Sequence, residues 1–226
     1  MYDHNEFAVS SEPTSFGAQD HGILLILPEF FNYKTEADIP KYIFNSGSRY
    51  HPAVKSLENS LILSHEAVKF CIAKELRKSE LKLHEKQIFL AWTLVLTNYL
   101  LTVFSNIKLK HAPSKAIRVF TAGAIAVTHL ITYFTIKSID DIYTERQLDD
   151  FVARLSPQYA LGGIMYYEKQ KQKNLAIRAW LPDKSGERLY NRNGELITSI
   201  FFRRMSLRSH IETCTNIFNL HQAGLV

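Results

Sequence analysis

Residues 88–107 read IFLAWTLVLTNYLLTVFSNI, and residues 119–136 read VFTAGAIAVTHLITYFTI. Neither run holds a formal charge, taking His129 as neutral. A helix needs about 20 mainly apolar residues to cross a bilayer core. Residues 88–107 meet that length, and residues 119–136 reach the lower edge of the range. The pair therefore reads as a two-helix membrane hairpin. The alternative is a buried helical hairpin inside a soluble core, but two adjacent charge-free runs flanked by Lys and Arg are rare in soluble domains.

The link between the runs carries Lys108, Lys110, Lys115 and Arg118 and no acid. A short loop this basic stays on the positive-inside face, which puts both larger flanking parts on the opposite side. Lys82 and Lys86 on the outer flank pull the other way.

The rest of the composition is ordinary. The chain has 226 residues, 46% hydrophobic and 22% charged, so it is neither disordered nor collagenous. Its mean hydropathy of -0.12 averages over the uneven placement of the apolar blocks. The net charge of +5 is spread along the chain, and no nucleic-acid-binding module accompanies it. Cys71 and Cys214 stand far apart and outside any CxxC pattern, so they define neither a disulfide framework nor a zinc knuckle. Cys71 reads as a small residue on a helix face. The opening residues MYDHNEFAVSSEPTSFG lack a basic n-region and an apolar h-region. They read like the middle of a domain, as in a fragment or a short isoform.

Five segments follow. Residues 1–50 read as β-like and loop-rich, with Gly22 to Leu27 a short buried strand ended by Pro28 and turns at Glu12–Ser15 and Asn45–Ser48. Residues 51–87 read as one long helix from Ala53 to about Gln87, with Leu57, Leu61, Val68, Ile72 and Leu76 near helical spacing. Residues 88–136 are the hairpin. Residues 137–208 begin with a charged helical stretch, Asp140 to Leu155. Ser156-Pro157 then caps a helix running to about Trp180. Within it Gly162-Gly163 costs helix stability and implies close backbone packing. Pro182 to Gly186 reads as a turn, and Glu187–Tyr190 with Glu195–Arg203 as a hairpin through Asn193-Gly194. Residues 209–226 read as a loosely held tail. The expected fold is an α+β membrane protein: a helical domain with a two-helix transmembrane hairpin and small β elements at both ends.

Several motifs together resemble a known family. They are Leu155-Ser156-Pro157-Gln158-Tyr159-Ala160-Leu161-Gly162-Gly163, Tyr167-Glu168-Lys169, Asn174-Leu175-Ala176-Ile177-Arg178, Gly186-Glu187-Arg188-Leu189-Tyr190 and Gly194-Glu195-Leu196-Ile197. Their order around an apolar hairpin, with the helix Ser60 to Phe70 before it, resembles the transmembrane protein 177 family from about Phe7 to Cys214. The family usually begins with a basic end and an additional membrane segment, from which this chain departs. The resemblance implies a mitochondrial inner-membrane protein without catalysis or cofactor. It would support cytochrome c oxidase assembly by acting on the chaperone of newly made subunit 2. The soluble parts would face the intermembrane space.

A second resemblance is to HtpX-like membrane zinc peptidases. His65-Glu66-Ala67-Val68-Lys69 looks like a damaged HExxH, and Glu145-Arg146-Gln147-Leu148-Asp149 like ExxxD. In an intact site two histidines at i and i+4 bind zinc and the glutamate activates water. Here Lys69 replaces the second imidazole, and His65 with Glu145 would supply two ligands where catalysis wants three. His65-Glu66 is then an ordinary helix dipeptide or the residue of an ancestral scaffold. Neither reading gives catalytic, cofactor-binding or metal-binding residues. The competing function is a membrane zinc metallopeptidase with an unusual site; a weaker third is a lipid-binding module. Tyr166-Tyr167 and Phe201-Phe202 read as packing residues. Arg203-Arg204 reads as a solvated strand end that could also meet acidic lipid heads or a partner. Ser64 beside His65 is not a catalytic triad, and Gly162-Gly163 lacks the setting of a phosphate loop.

Overall fold

The computed structural model describes residues 13–16, 24–40, 52–81, 83–108, 114–182, 184–198 and 203–225. Among them are two short strands, β1 (Thr14–Phe16) and β2 (Leu24–Ile26), and two 3-10 turns at Glu29–Asn32 and Glu36–Asp38. Seven helices follow: α1 (Pro52–Leu61), α2 (His65–Glu80), α3 (Leu83–Lys108), α4 (Lys115–Arg154), α5 (Pro157–Trp180), α6 (Ser185–Leu189) and α7 (Leu207–Gln222). The chain divides into two compact units. One comprises Met1–Leu81, Thr144–Ile197 and Met205–Val226; the other comprises Lys82–Tyr143 and Thr198–Arg204.

In the first unit α5 is the central helix, packed against α1, α2 and α7. Ser156 caps it by accepting from the Tyr159 N–H at 3.4 Å, with Pro157 at its start, as the sequence predicts. The glycine pair is also where close packing was expected. A Cβ on Gly162 would sit 2.3 Å from the Glu66 carbonyl oxygen of α2, and one on Gly163 would sit 2.7 Å from Cys214 Sγ of α7.

Three expectations change. The long helix 53–87 is broken twice. Ser64 accepts from the Ala67 N–H at 3.2 Å and caps a new helix, so the phase carried by Leu57 and Leu61 is reset. The buried face of α2 becomes Ala67, Phe70, Cys71 and Lys74, while Leu76 is exposed. The tail beyond Ser209 is α7, a core helix with His210, Cys214 and Ile217 buried. Ser206 caps α7, and the Glu195 carboxylate accepts the N–H groups of Leu207 and Arg208 at 2.8 and 3.2 Å.

The β content is the third correction, and the chain is mostly helical rather than α+β. β1 and β2 pair antiparallel, Thr14 opposite Ile26. Among the described residues, the strand expected over 22–27 is Leu24–Ile26, and it is not buried, with Leu24 63% exposed. Among the described residues, the expected C-terminal hairpin is reduced to one bridge, Tyr190 with Leu196, because Ser185–Leu189 is helical. The turn is closed by Asn191, whose side-chain oxygen accepts the N–H groups of Asn193 and Glu195 at 2.8 and 3.0 Å. These local bonds use donors that a longer ladder would need. The turn at Asn45–Ser48, the Phe201-Phe202 pair, Lys82 and Lys110 lie outside the described residues.

In the second unit, α3 and the first part of α4 hold the two charge-free runs, and nothing in their apolar windows is buried. Phe89 is 75%, Trp92 69% and Phe120 78% exposed. A soluble core hairpin would hide these side chains, whereas a bilayer leaves them facing lipid. Six threonine hydroxyls within the runs turn inward to their own helix. Thr93, Thr97, Thr121, Thr128, Thr132 and Thr135 each donate to a backbone carbonyl three or four residues earlier. That satisfies the hydroxyls where water is absent. Beyond Ile136 the helix continues without a break through Asp140, Asp141, Glu145 and Asp149, outside the charge-free run.

Candidate functional site

The first unit encloses a cluster of ionisable side chains drawn from four helices. Lys74 comes from α2, Glu145 and Asp149 from α4, Tyr167 from α5, and His210 from α7. Helical spacing presents them. Lys74 extends the buried face Ala67–Phe70–Cys71, and Glu145 and Asp149 are four residues apart on one face. The Lys74 ammonium lies 2.5 Å from Glu145 Oε2 and 2.9 Å from Asp149 Oδ1, and donates to the Tyr167 hydroxyl at 2.6 Å. Tyr167 in turn donates to Asp149 Oδ1 at 2.7 Å. His210 bonds Asp149 Oδ2 through Nδ1, and its ring stacks on Tyr167 at 4.3 Å between centroids.

The electrostatics follow from burial and pairing. Burial opposes the charge on Asp149, whose side chain is 0% exposed, but Lys74 and His210 outweigh it and hold the carboxyl below the usual aspartate range. Burial opposes the charge on Glu145 as well, and Lys74 outweighs it to lower the pKa. For Lys74 burial disfavours the ammonium, yet Asp149 and Glu145 win and raise its pKa above the ordinary lysine value. Burial, then Asp149 and Glu145, push the Tyr167 hydroxyl up. Burial, then Asp149, push the Cys214 thiol up.

Such a cluster is poor at chemistry. An ammonium has three N–H donors, and Lys74 has three oxygens within 2.9 Å, so its proton is held and its nitrogen is neither nucleophile nor base. Cys214 stays a thiol, which is the unreactive form. The arrangement instead ties α2, α4, α5 and α7 together at one point.

The residues of the peptidase-like motif are not assembled. His65 is the first residue of α2 and exposed, as is Lys69. Lys74 lies nine residues past His65, about 13 Å along the helix axis, and it is Lys74 that meets Glu145 and Asp149. Among the described residues, no group of three or more His, Cys, Asp or Glu side chains could hold a metal ion. The sequence reading gave Tyr167 a packing role alone, and it missed Lys74 and His210. One signal was present: a lysine on the otherwise apolar stripe Ala67, Phe70, Cys71. Arg203 and Arg204 are exposed, in the second unit, where the Arg203 carbonyl accepts from Ser138 Oγ at 3.2 Å.

Two long, exposed apolar helices and a helical unit built around a closed ion cluster define a helical membrane protein. Comparison with known sequences narrows this. Transmembrane protein 177 of Homo sapiens is 33% identical over 153 residues, covering 67% of this chain and 49% of that protein. The Rattus norvegicus protein of the same name is 32% identical over 154 residues, with the same coverage. The Mus musculus one is 29% identical over 187 residues, 80% of this chain and 60% of that protein. The chain belongs with the transmembrane protein 177 family, as its motifs indicate, and spans about half the length of the first two relatives. No family model and no solved structure matches it. The resemblance to zinc peptidases gains no support from these relatives.

Proposed function

We propose that the protein is a non-catalytic factor of the mitochondrial inner membrane that supports cytochrome c oxidase assembly by stabilising the chaperone of newly made subunit 2. The mitochondrial and assembly parts of this reading rest on the family resemblance. The absence of catalysis rests on one observation: Lys74 occupies the carboxylates Glu145 and Asp149 that a peptidase-like site would need. The membrane hairpin anchors the chain, with the basic loop in the matrix and the first unit in the intermembrane space. That unit is the part that holds the chaperone or its client.

The test is rescue of oxidase assembly in deficient cells, with wild-type and Glu66→Gln protein expressed equally, together with metal analysis of the purified wild type. Equal rescue by the two proteins is expected. Stoichiometric zinc combined with failure of Glu66→Gln would refute the non-catalytic reading. Affinity purification from mitochondria in mild detergent tests the partner, and failure to retain the chaperone or subunit 2 would overturn that assignment.

A further inference from the structure

The two ends of the membrane hairpin differ in charge. At the end where α3 begins and the apolar run of α4 finishes, acids accompany the bases: Glu85 beside Lys86, and Asp140 and Asp141 after Lys137. At the loop end Lys108, Lys110, Lys115 and Arg118 stand between Ile107 and Val119 with no acid. Lys108 is the last residue of α3, and Lys115 the first of α4; both are exposed. The Lys108 ammonium lies 5.5 Å from the centre of the Phe104 ring, keeping the cation over the last turn of the apolar run. Arg118 immediately precedes Val119. Side chains on a helix tilt toward its N-terminus, so the Arg118 guanidinium leans back toward the loop, to the depth where the span ends. Its Nε is screened from solvent and has no acceptor among the described residues.

A guanidinium N–H withdrawn from water needs an oxygen acceptor, and a phosphate oxygen meets it in a strong charge-assisted bond. The acceptor must be anionic, because the loop sequence offers these cations no acid of its own. It must also lie at the boundary of the apolar run, where phospholipid phosphates are. We infer that the loop end of this hairpin binds the headgroups of anionic phospholipids, with Arg118 donating to phosphate and Lys108 and Lys115 as flanking point charges. This rests on the membrane location and not on the assembly role, so either can fail without the other.

The test uses the full chain reconstituted in phosphatidylcholine bilayers that contain a trace of spin-labelled phosphatidylglycerol or spin-labelled phosphatidylcholine. The motionally restricted fraction of each label reports its preference for the protein surface. The wild type should favour phosphatidylglycerol by roughly fivefold or more, about the gain from one cation near an anionic surface. The preference should fall toward unity as salt is raised. Combined Lys108→Gln, Lys115→Gln and Arg118→Gln should abolish it, whereas Lys86→Gln with Lys137→Gln should retain it. Absence of preference in the wild type, or its retention in the triple variant, would overturn the inference. If the triple variant does not insert, the wild-type salt series decides, and a salt-independent preference refutes the proposal. Loss of the preference on adding inorganic phosphate at constant ionic strength would also refute it, in favour of a free-anion site.

Discussion

Replacing Lys74 with Met removes the cation that Glu145 and Asp149 share, at similar side-chain length. The two carboxylates respond differently. Glu145 is 32% exposed in its side chain and recovers hydration, whereas Asp149 is 0% exposed and keeps only its bonds from Tyr167 and His210. Breaking a buried ion pair from one side costs about 3–5 kcal/mol, and the partial exposure of Glu145 places this case near about 3 kcal/mol. Adding Asp149→Asn removes the stranded charge, so the double variant should be less destabilised than the sum of the single changes, with a coupling of about 1–3 kcal/mol. Denaturant unfolding of the full chain in mild detergent measures this. Trp180 lies in the first unit and Trp92 in the membrane hairpin, so a Trp92→Phe background confines the fluorescence signal to the unit of interest. A cost below about 1 kcal/mol for Lys74→Met, or strict additivity, would refute the view that Asp149 depends on Lys74.

Gly162→Ala should destabilise the first unit by about 1–3 kcal/mol or more, because the new Cβ meets the Glu66 backbone oxygen at 2.3 Å and backbone cannot swing aside; thermal unfolding checks this. Acid stability has a defined sign. The folded pKa values of Asp149 and Glu145 lie below their unfolded values, so the stability they contribute is present above the usual carboxylate range of about 4 and is lost as pH falls below it. The unfolding midpoint should therefore fall below about pH 4, less steeply in Asp149→Asn. Alkaline carbonate should leave the chain in the membrane pellet, and Leu96→Arg should impair insertion, with a cost of about 2.5–3.5 kcal/mol at a helix centre. A cysteine at Ser114 should resist an impermeant thiol reagent on mitoplasts until the inner membrane is opened, with buried Cys71 and Cys214 contributing little signal; early labelling would reverse the topology.

Local signals in the chain suffice for the membrane hairpin, the cap at Ser156 and the tight packing of Gly162 and Gly163. Each is a local property: a charge-free run of span length, a side chain bonded three residues on, and a missing Cβ. Such signals did not decide where helices break. Leu57, Leu61 and Val68 fit one continuous helical face, and the Ser64 cap that resets the phase competes with that pattern on nearly equal terms. Nor did they decide the fate of residues 209–226, whose polar composition hid the spacing of His210, Cys214 and Ile217. The ion cluster lay further from view. Its members are 4 to 93 residues apart in sequence along Lys74, Glu145, Asp149 and Tyr167, with His210 further on. No short motif links them. The HExxH-like pattern pointed to His65 as the partner of Glu145, and packing chose Lys74 instead. Which lysine neutralises which carboxylate depends on how α2, α4, α5 and α7 turn about one another, and tertiary packing alone fixes that rotation.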